Sequence, residues 1–127
     1  MIDALFNNPN YVAANKLLDA TVLRHEAIAS NLANLETPGY KRIDLAPSFS
    51  TELKQALGSG DASRIASLEP KLQVDPNAVA QSRDGNTVNL ESEMANLQKN
   101  TLSHALETQM ISYQLVRLRM AITGRSA

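Results

Sequence analysis

The last third of the chain carries the pattern that most limits how it can fold. Residues that are mostly apolar recur there at strictly alternating spacings of four and three, which is the heptad pattern of a coiled-coil helix. The positions are Leu90, Met94, Leu97, Thr101, His104, Thr108, Ile111, Leu115, Leu118 and Ile122. A helix over this span would be about 50 Å long, more than a compact domain of this size needs. The pattern therefore predicts an elongated helix, within residues 89–127, that reaches beyond its own domain.

Three polar residues, Thr101, His104 and Thr108, interrupt the predicted seam on successive layers. Polar residues at such positions commonly fix the register or the choice of partner, and we favour that interpretation over a chemical role. The start of the helix also carries acidic residues, Glu91 and Glu93. Because two residues on a helix separated by a spacing of two point to different faces, we interpret them as complements of the helix dipole rather than as a catalytic pair.

A second amphipathic helix is predicted over residues 11–36, after an Asn-rich stretch, residues 1–10, that is predicted to be a mobile arm. Its apolar face is wider than a two-stranded seam requires, so part of it should contact another segment or another molecule. The residues predicted to form the assembly face of the two helices are Leu17, Leu18, Ile28, Leu32, Leu90, Met94, Leu97, Ile111, Leu115, Leu118 and Ile122. The physical expectation is a protein that finishes folding by association.

The first helix ends in the segment SNLANLETPGYKR, residues 30–42. Pro38 disfavours helical geometry at Thr37, and Gly39 follows where a type II turn needs a positive φ. After the turn, Ile43 and Leu45 alternate with polar residues, which is the period of a strand. Local evidence alone indicates an ordinary surface turn between a helix and an extended segment.

The middle of the chain, residues 37–88, is polar and has few large apolar groups. It predicts a short helix after Pro47 that stops at Gly58, a flexible linker over residues 58–61, a weak strand over residues 71–74, and a short hairpin around the turn at residues 83–86. The predicted fold is mainly α: two long terminal helices form a coiled-coil-like hairpin, with a small β-containing middle segment, in one domain.

Composition limits the classes of partner. Twelve basic and thirteen acidic residues give a net charge of −1, so no nucleic-acid partner is predicted. No stretch approaches the roughly 20 apolar residues of a membrane span, so direct membrane insertion is not expected, and the first residues lack the pattern of a cleavable signal. With no cysteine, two histidines and no metal-binding or nucleotide-binding motif, the sequence predicts no cofactor, no metal site and no catalytic group.

Three segments together carry a family resemblance: the helix ending in SNLANLETPGYKR, the segment DGNTVNLESEM that leads into the last helix, and the terminal LVRLRMAITG. They are similar to the flagellar basal body rod proteins, and among them to the FlgB-type proximal rod subunits. The resemblance covers about half of the chain. The matching positions of the first signature are Asn31, Asn34, Thr37, Pro38, Gly39 and Tyr40; those of the second are Asp84, Gly85, Asn86, Val88, Leu90, Glu91, Glu93 and Met94.

The resemblance implies a non-enzymatic structural subunit of the bacterial flagellar rod in the periplasm. It implies helical assembly through the terminal helices with other rod proteins and the rod base, so that torque is transmitted along the rod. It also implies export through the flagellar type III apparatus without a cleaved signal peptide. In isolation we expect a monomer with frayed termini.

Two alternatives differ in class. The heptad alone fits another type III-secreted coiled-coil protein, structural or needle-associated, equally well, but the TPGYKR turn and the NLESEM segment argue against it. An enzyme of cell-wall remodelling would need a carboxylate pair with one raised pKa, and the sequence offers no candidate pair.

Overall fold

The computed structural model of the chain describes residues 2–124. Its elements in chain order are α1 (Ile2–Phe6), α2 (Pro9–Ala33), β1 (Ile43–Leu45), α3 (Ser48–Ser59), α4 (Ala62–Ser67), β2 (Leu72–Val74) and α5 (Leu90–Thr123). The most extensive contact between elements joins α2 and α5, and the middle segment packs on α2. The predicted fold class, mainly α with two long terminal helices and a small β element, is confirmed.

The long helices begin and end close to the predicted positions. Asn8 caps α2 by accepting a hydrogen bond from the Asn10 N–H, and Pro9 occupies the first turn, where its missing N–H costs nothing. Asn89 caps α5 in the same way through the Ser92 N–H. The stretch predicted as a mobile arm contains α1, and the last three residues of the predicted C-terminal segment lie outside the described part of the chain.

The turn after α2 has the predicted geometry. Gly39 has a φ of 72°, and the Tyr40 N–H donates to the Thr37 carbonyl over 3.2 Å. This is the positive φ and the hydrogen bond from residue i+3 to residue i that define the turn. The sequence alone was enough here because the turn depends on backbone preferences of adjacent residues.

Replacing Gly39 with alanine should lower the free energy of unfolding by about 1 kcal/mol, because a Cβ disfavours positive φ. The cost is conformational, since no atom lies within 4 Å of the added Cβ. Gly58 is the matched control: it lies inside α3 without a positive φ, and its Cβ would also meet open space. Gly58→Ala should therefore stabilise by about 0.5–1 kcal/mol, and urea unfolding of both variants checks the opposite signs. Equal signs would contradict the explanation.

The hydrophobic core lies between α2 and the middle segment. Its buried members come from α2, α3 and α4, and they are Ala13, Ala20, Phe49, Leu53, Ala56 and Ile65. The two strands pair antiparallel, with Ile43 opposite Val74, and Leu45 of β1 packs against the core. The middle segment therefore stabilises the N-terminal helix by covering one of its sides.

Two details of the middle differ from the sequence predictions. The α3 helix passes through Gly58 and ends at Ser59, and Gly60 forms the left-handed cap with a φ of 67°. The residues predicted as a flexible linker lead directly into α4, which Asp61 caps by accepting from the Ser63 and Arg64 N–H groups. The sequence did not predict α4 because its six residues carry one large apolar anchor, Ile65, too few to show a period.

Candidate functional site

The two signature segments meet where α2 ends. The Asn86 side chain, 3% exposed, donates to the carbonyls of Asn34, Leu35 and Thr37 at 2.8, 3.0 and 2.9 Å. Asn34 is the C-cap of α2, and Leu35 and Thr37 lie in the turn after it. Asn86 therefore holds the C-cap and the turn together from about fifty residues away, and its own oxygen accepts from the Val88 N–H over 2.8 Å.

The loop that contains Asn86 lies beside the turn. The Gly39 N–H donates to the Asp84 carbonyl over 2.8 Å, and the Thr87 N–H donates to the Tyr40 carbonyl over 3.0 Å. The Arg42 N–H donates to Thr87 Oγ1 over 2.8 Å. The hairpin predicted around residues 83–86 is therefore wrong: the only strands in residues 2–124 are β1 and β2, because the loop uses its hydrogen-bonding groups on the distant turn.

Below the turn, five residues form a cluster that we call the polar latch: Asn31, Arg42, Asp44, Asp75 and Glu93. The Arg42 guanidinium contacts three carboxylates, through Nε to Glu93 Oε1, through Nη1 to Asp75 Oδ2 at 2.7 Å, and through Nη2 to Asp44 Oδ2 at 3.0 Å. Its five donors in a rigid plane suit this arrangement. A single side chain therefore joins β1, the end of β2 and the start of α5.

Asn31 completes the polar latch from α2. It is fully buried, as is Glu93. Its amide donates to Glu93 Oε2 at 3.2 Å and to the Ile43 carbonyl at 2.8 Å, and its oxygen accepts from the Ile43 N–H at 3.0 Å. In the described part of the chain, every buried side-chain nitrogen and oxygen has a hydrogen-bond partner. The cluster is thus fully satisfied, which is the condition for a buried charged group to be tolerated.

The pKa values of Arg42 and Asp44 in the polar latch are both shifted in the direction that favours the ionised form. Burial alone would lower the pKa of Arg42, but its bonds to Glu93 and Asp44 outweigh burial and raise that pKa above the ordinary value. Burial alone would raise the pKa of Asp44, but the bond to Arg24, the Leu45 N–H and Arg42 together lower it. Both groups therefore remain ionised at neutral pH.

Because the pKa of Asp44 is lower in the folded chain than its ordinary value of 3.8, its ionised form stabilises the fold. This contribution is fully present above that value and is lost as the pH falls through the lower, folded pKa. Asp44→Asn should therefore weaken the loss of unfolding free energy that occurs as the pH falls below 3.8. Urea unfolding at several pH values measures it, with Asp61→Asn, on the exposed cap of α4, as the control. An unchanged slope for Asp44→Asn would contradict the assignment.

Further along the helix pair, Thr21 faces two polar residues of α5. The Asn100 amide donates to the Thr21 carbonyl over 2.9 Å, and the Thr21 hydroxyl lies 2.5 Å from Glu107 Oε2. Because Asn31 contacts Glu93 and Thr21 contacts Asn100 and Glu107, later residues of α5 meet earlier residues of α2. The helices are antiparallel, and these polar pairs fix their register.

The contact between α2 and α5, which we call the seam, keeps the predicted heptad positions Leu97, Ile111 and Leu118. The alternate positions of the heptad lie one residue earlier than predicted. Glu93 and Asn100 are buried in it; the half-buried α5 positions along it are Leu97, Glu107, Ile111, Gln114 and Leu118. Polar residues thus recur every seven positions, at Glu93, Asn100, Glu107 and Gln114. The helix takes this rotation because it places Glu93 against Arg42 and Asn31, whereas hydrophobic spacing alone favours the neighbouring positions.

The residues predicted to form the assembly face differ in how far they are buried within the chain. Ile28 is buried, and Leu17, Leu18, Leu32, Leu97, Ile111 and Leu118 are half-buried; Leu90, Met94, Leu115 and Ile122 are exposed. The three polar layers predicted to set register are also exposed, and the Thr101 and Thr108 hydroxyls donate to carbonyls of their own helix. Within the chain, Asn100 and Glu107 set the register instead. A role of the three layers in choosing a partner stays a prediction.

Most of the exposed large apolar side chains of the described residues lie on α5. Nine of the fourteen are there: Leu90, Met94, Leu102, Leu106, Met110, Tyr113, Leu115, Val116 and Ile122. Exposed apolar side chains that are concentrated on one element are typical of surfaces that contact another protein. No described helix is long and apolar enough to cross a membrane.

Comparison with known proteins gives the family. The family model for the flagella basal body rod protein matches residues 18–41, which cover the second half of α2 and the turn. The flagellar basal body rod protein FlgB of Escherichia coli K12 is 30% identical over 114 residues, 77% of this chain and 81% of the relative. The chain belongs to the flagellar basal body rod protein family. It is a structural subunit of the rod, of the FlgB type, and its place is the basal body.

Other relatives of this rod protein carry the same name. The FlgB protein of Borrelia hermsii is 29% identical over 126 residues, 86% of this chain and 92% of the relative. The FlgB protein of Cereibacter sphaeroides is 33% identical over 111 residues, which are 80% of this chain and 84% of the relative. The similarity therefore extends over both long helices and the middle segment, well beyond the residues of the signature turn.

The structure explains why this rod protein has two signature segments. Asn31, Asn34, Thr37, Gly39 and Tyr40 of the first lie against Asp84, Gly85, Asn86 and Glu93 of the second or bond to their neighbours. Arg42, Asp44 and Asp75, the charged centre of the polar latch, were not predicted from the sequence to be site residues. In the sequence, Arg42 is a single arginine between a turn and a strand. Nothing near it indicates that its partners are Asp75 and Glu93, which lie 33 and 51 residues further along the chain.

Proposed function

We propose that this rod protein assembles through the exposed apolar side chains of α5, which pack against neighbouring rod subunits. The observation that carries the proposal is that nine large apolar side chains of α5 are each more than 40% exposed. Covering them would release water from a surface that the isolated chain cannot bury. Leu115 and Ile122, which the sequence places on the predicted assembly face, are among these exposed residues.

The polar latch supplies stiffness in this proposal. A force applied to α5 by a neighbour passes through Glu93 and Arg42 to β1, and through Asn100 and Glu107 to α2. Close-packed, fully bonded contacts transmit strain instead of sliding. The chain would therefore transmit torque along the rod without any chemical step, so we assign it no catalytic activity.

The proposed partners are the other rod proteins and the rod base, in a helical hetero-oligomer. We further propose a periplasmic location, reached through the flagellar type III export apparatus without a cleaved signal peptide. The support is the family resemblance of the two signature segments. The monomer in isolation should show less helix than the assembled form, because the exposed α5 gains its remaining contacts on assembly.

Charged substitutions at exposed α5 positions test the proposal. Leu115→Asp combined with Ile122→Asp should leave the melting temperature within a few degrees, because both side chains are exposed. In cells that lack the native copy, the same variant should abolish rod assembly and swimming in soft agar. Gln98→Asp, an exposed polar position on the same helix, should remain motile. Normal motility of the double variant would refute the assembly role of α5.

A further inference from the structure

The second signature segment contains the only aspartate of the chain that is followed by glycine, Asp84–Gly85. This pair of residues is prone to rearrange, because glycine has no side chain to keep its backbone nitrogen away from the aspartate carboxyl carbon. The Gly85 nitrogen forms a bond to Asp84 Cγ, and the carboxyl hydroxyl leaves as water with the proton of that nitrogen. The cyclic imide then takes up one water molecule. When the bond between the nitrogen and the original main-chain carbonyl carbon breaks, the main chain runs through Cγ as isoaspartate.

The folded loop binds the carboxyl group that would have to react. Asp84 Oδ1 accepts from the Ser82 hydroxyl, and from the Asn86 N–H over 3.1 Å. The bond from Ser82 and then the bond from Asn86 lower the pKa of the Asp84 carboxyl below its ordinary value of 3.8. The group is therefore ionised at neutral pH. An ionised carboxyl reacts poorly with a nitrogen nucleophile, because it has no hydroxyl group to lose as water.

The fold also holds the peptide groups on both sides of the reacting pair. The Gly85 N–H, which contains the attacking nitrogen, donates to the Ser82 carbonyl over 3.3 Å. The Gly85 carbonyl accepts from Lys41 Nζ over 2.9 Å, and the Asp84 carbonyl accepts from the Gly39 N–H over 2.8 Å. Lys41 and Gly39 both belong to the first signature segment. The nitrogen can approach Cγ only if these bonds break, so the loop has to open before it can react.

Isoaspartate at position 84 would disrupt the contact between the two signature segments. The rearrangement adds one carbon atom to the main chain and turns the carbonyl that accepts from Gly39 into a free carboxylate. It also removes the carboxyl oxygen that accepts from the Asn86 N–H. Asn86 would therefore move away from the carbonyls to which its side chain donates, those of Asn34, Leu35 and Thr37.

We propose that Asp84–Gly85 is a site of spontaneous isoaspartate formation in the unfolded chain, and that the contact with the first signature segment protects it in the folded chain. No reagent other than water takes part. The product is a substrate, by its chemistry, for an isoaspartyl carboxyl methyltransferase, which uses S-adenosylmethionine. The proposal concerns the chain on its own and does not depend on how the chain assembles.

Incubation of the full chain at neutral pH, with and without denaturing urea, tests the site and its protection. Peptide mass spectrometry with electron-transfer fragmentation measures isoaspartate at position 84. It should form at least about tenfold faster in urea, because the folded loop reacts only when it opens. Equal rates with and without urea overturn the proposed protection.

Asp61–Ala62 is the internal control in the same samples. Asp61 is exposed, and its Oδ1 accepts from two N–H groups. The side chain of Ala62 hinders attack by its backbone nitrogen, so little isoaspartate should form at position 61 in either sample. A rate at Asp84 in urea that is no higher than the rate at Asp61 overturns the site.

Ser82→Ala separates the bonds of the loop from folding in general. Ser82 is exposed, so circular dichroism of the variant should match the parent. Loss of one bond to the carboxyl should raise the rate in the folded chain by about two- to tenfold and leave the rate in urea unchanged. Ser92→Ala, at an exposed serine of α5, should change neither rate. An unchanged rate in folded Ser82→Ala would overturn protection by these bonds.

Discussion

Replacing Glu93 with alanine should lower the free energy of unfolding by about 3–5 kcal/mol, because it breaks a buried ion pair by removing one partner. Glu93 is fully buried and accepts from both Arg42 and Asn31. Its loss leaves a guanidinium and an amide donor without their carboxylate inside the protein. Urea unfolding followed by circular dichroism measures the change. We expect rod assembly to fail as well, because α5 loses its attachment to β1.

Glu91→Ala is the control for this prediction. Glu91 lies two residues earlier on α5 and is exposed, so its replacement should change stability by less than about 1 kcal/mol. Glu93→Gln keeps the shape and removes the charge, and it should fall between the two. If Glu93→Ala proves too unstable to fold, Glu93→Gln still reports the charge effect. Equal stability of the Glu93 and Glu91 alanine variants would show that the polar latch does not hold α5.

Replacing Asn86 with alanine should lower the free energy of unfolding by about 2–3 kcal/mol. The amide donates to the carbonyl of the C-cap of α2 and to two carbonyls of the turn after it, and its oxygen accepts from the Val88 N–H. Without it, the end of α2 and the approach to α5 both lose their partners. The same unfolding experiment measures the effect, and amide hydrogen exchange should rise at Val88 and at the last turn of α2.

Two variants separate hydrogen bonding from packing at this position. Asn86→Asp has nearly the same shape but replaces the donating amide with a carboxylate that faces three carbonyls, so it should destabilise at least as much as alanine. Asn77→Ala, in an exposed turn, should change stability by about 0.5 kcal/mol or less. A mild effect of Asn86→Asp would contradict capping by the amide.

The parts of the fold that depend on neighbouring residues were predicted from the sequence. The two long helices follow from apolar spacing, the turn from Pro38 and Gly39, and the cap of α5 from Asn89. Two features of the short elements could not be predicted in this way. The α4 helix has only one large apolar residue, Ile65, and therefore shows no period. The end of α3 depends on which of two glycines, Gly58 or Gly60, adopts the left-handed conformation. Local preference allowed both glycines, and packing of α4 on the core decided between them.

The candidate site required contacts between distant segments. The loop at residues 82–88 has the composition of a hairpin turn, yet its donors bind Tyr40 and the end of α2. The face of α5 that packs in the seam could not be predicted from apolar spacing either. Leu90, Met94 and Leu115 fit a heptad, but a charged residue one position away, Glu93, is the one buried, because Arg42 and Asn31 satisfy it.

The two long helices, the turn after the first helix and the family signatures could all be identified from residues that are close together in the sequence. These features depend on backbone preference and on periodicity, which act over a few residues. The face of α5 that turns inward, and the apolar residues that stay exposed, depend on contacts between distant segments. The reason is that the polar latch joins residues 31, 42, 44, 75 and 93, and the cost of burying their charges is offset only when all of them meet.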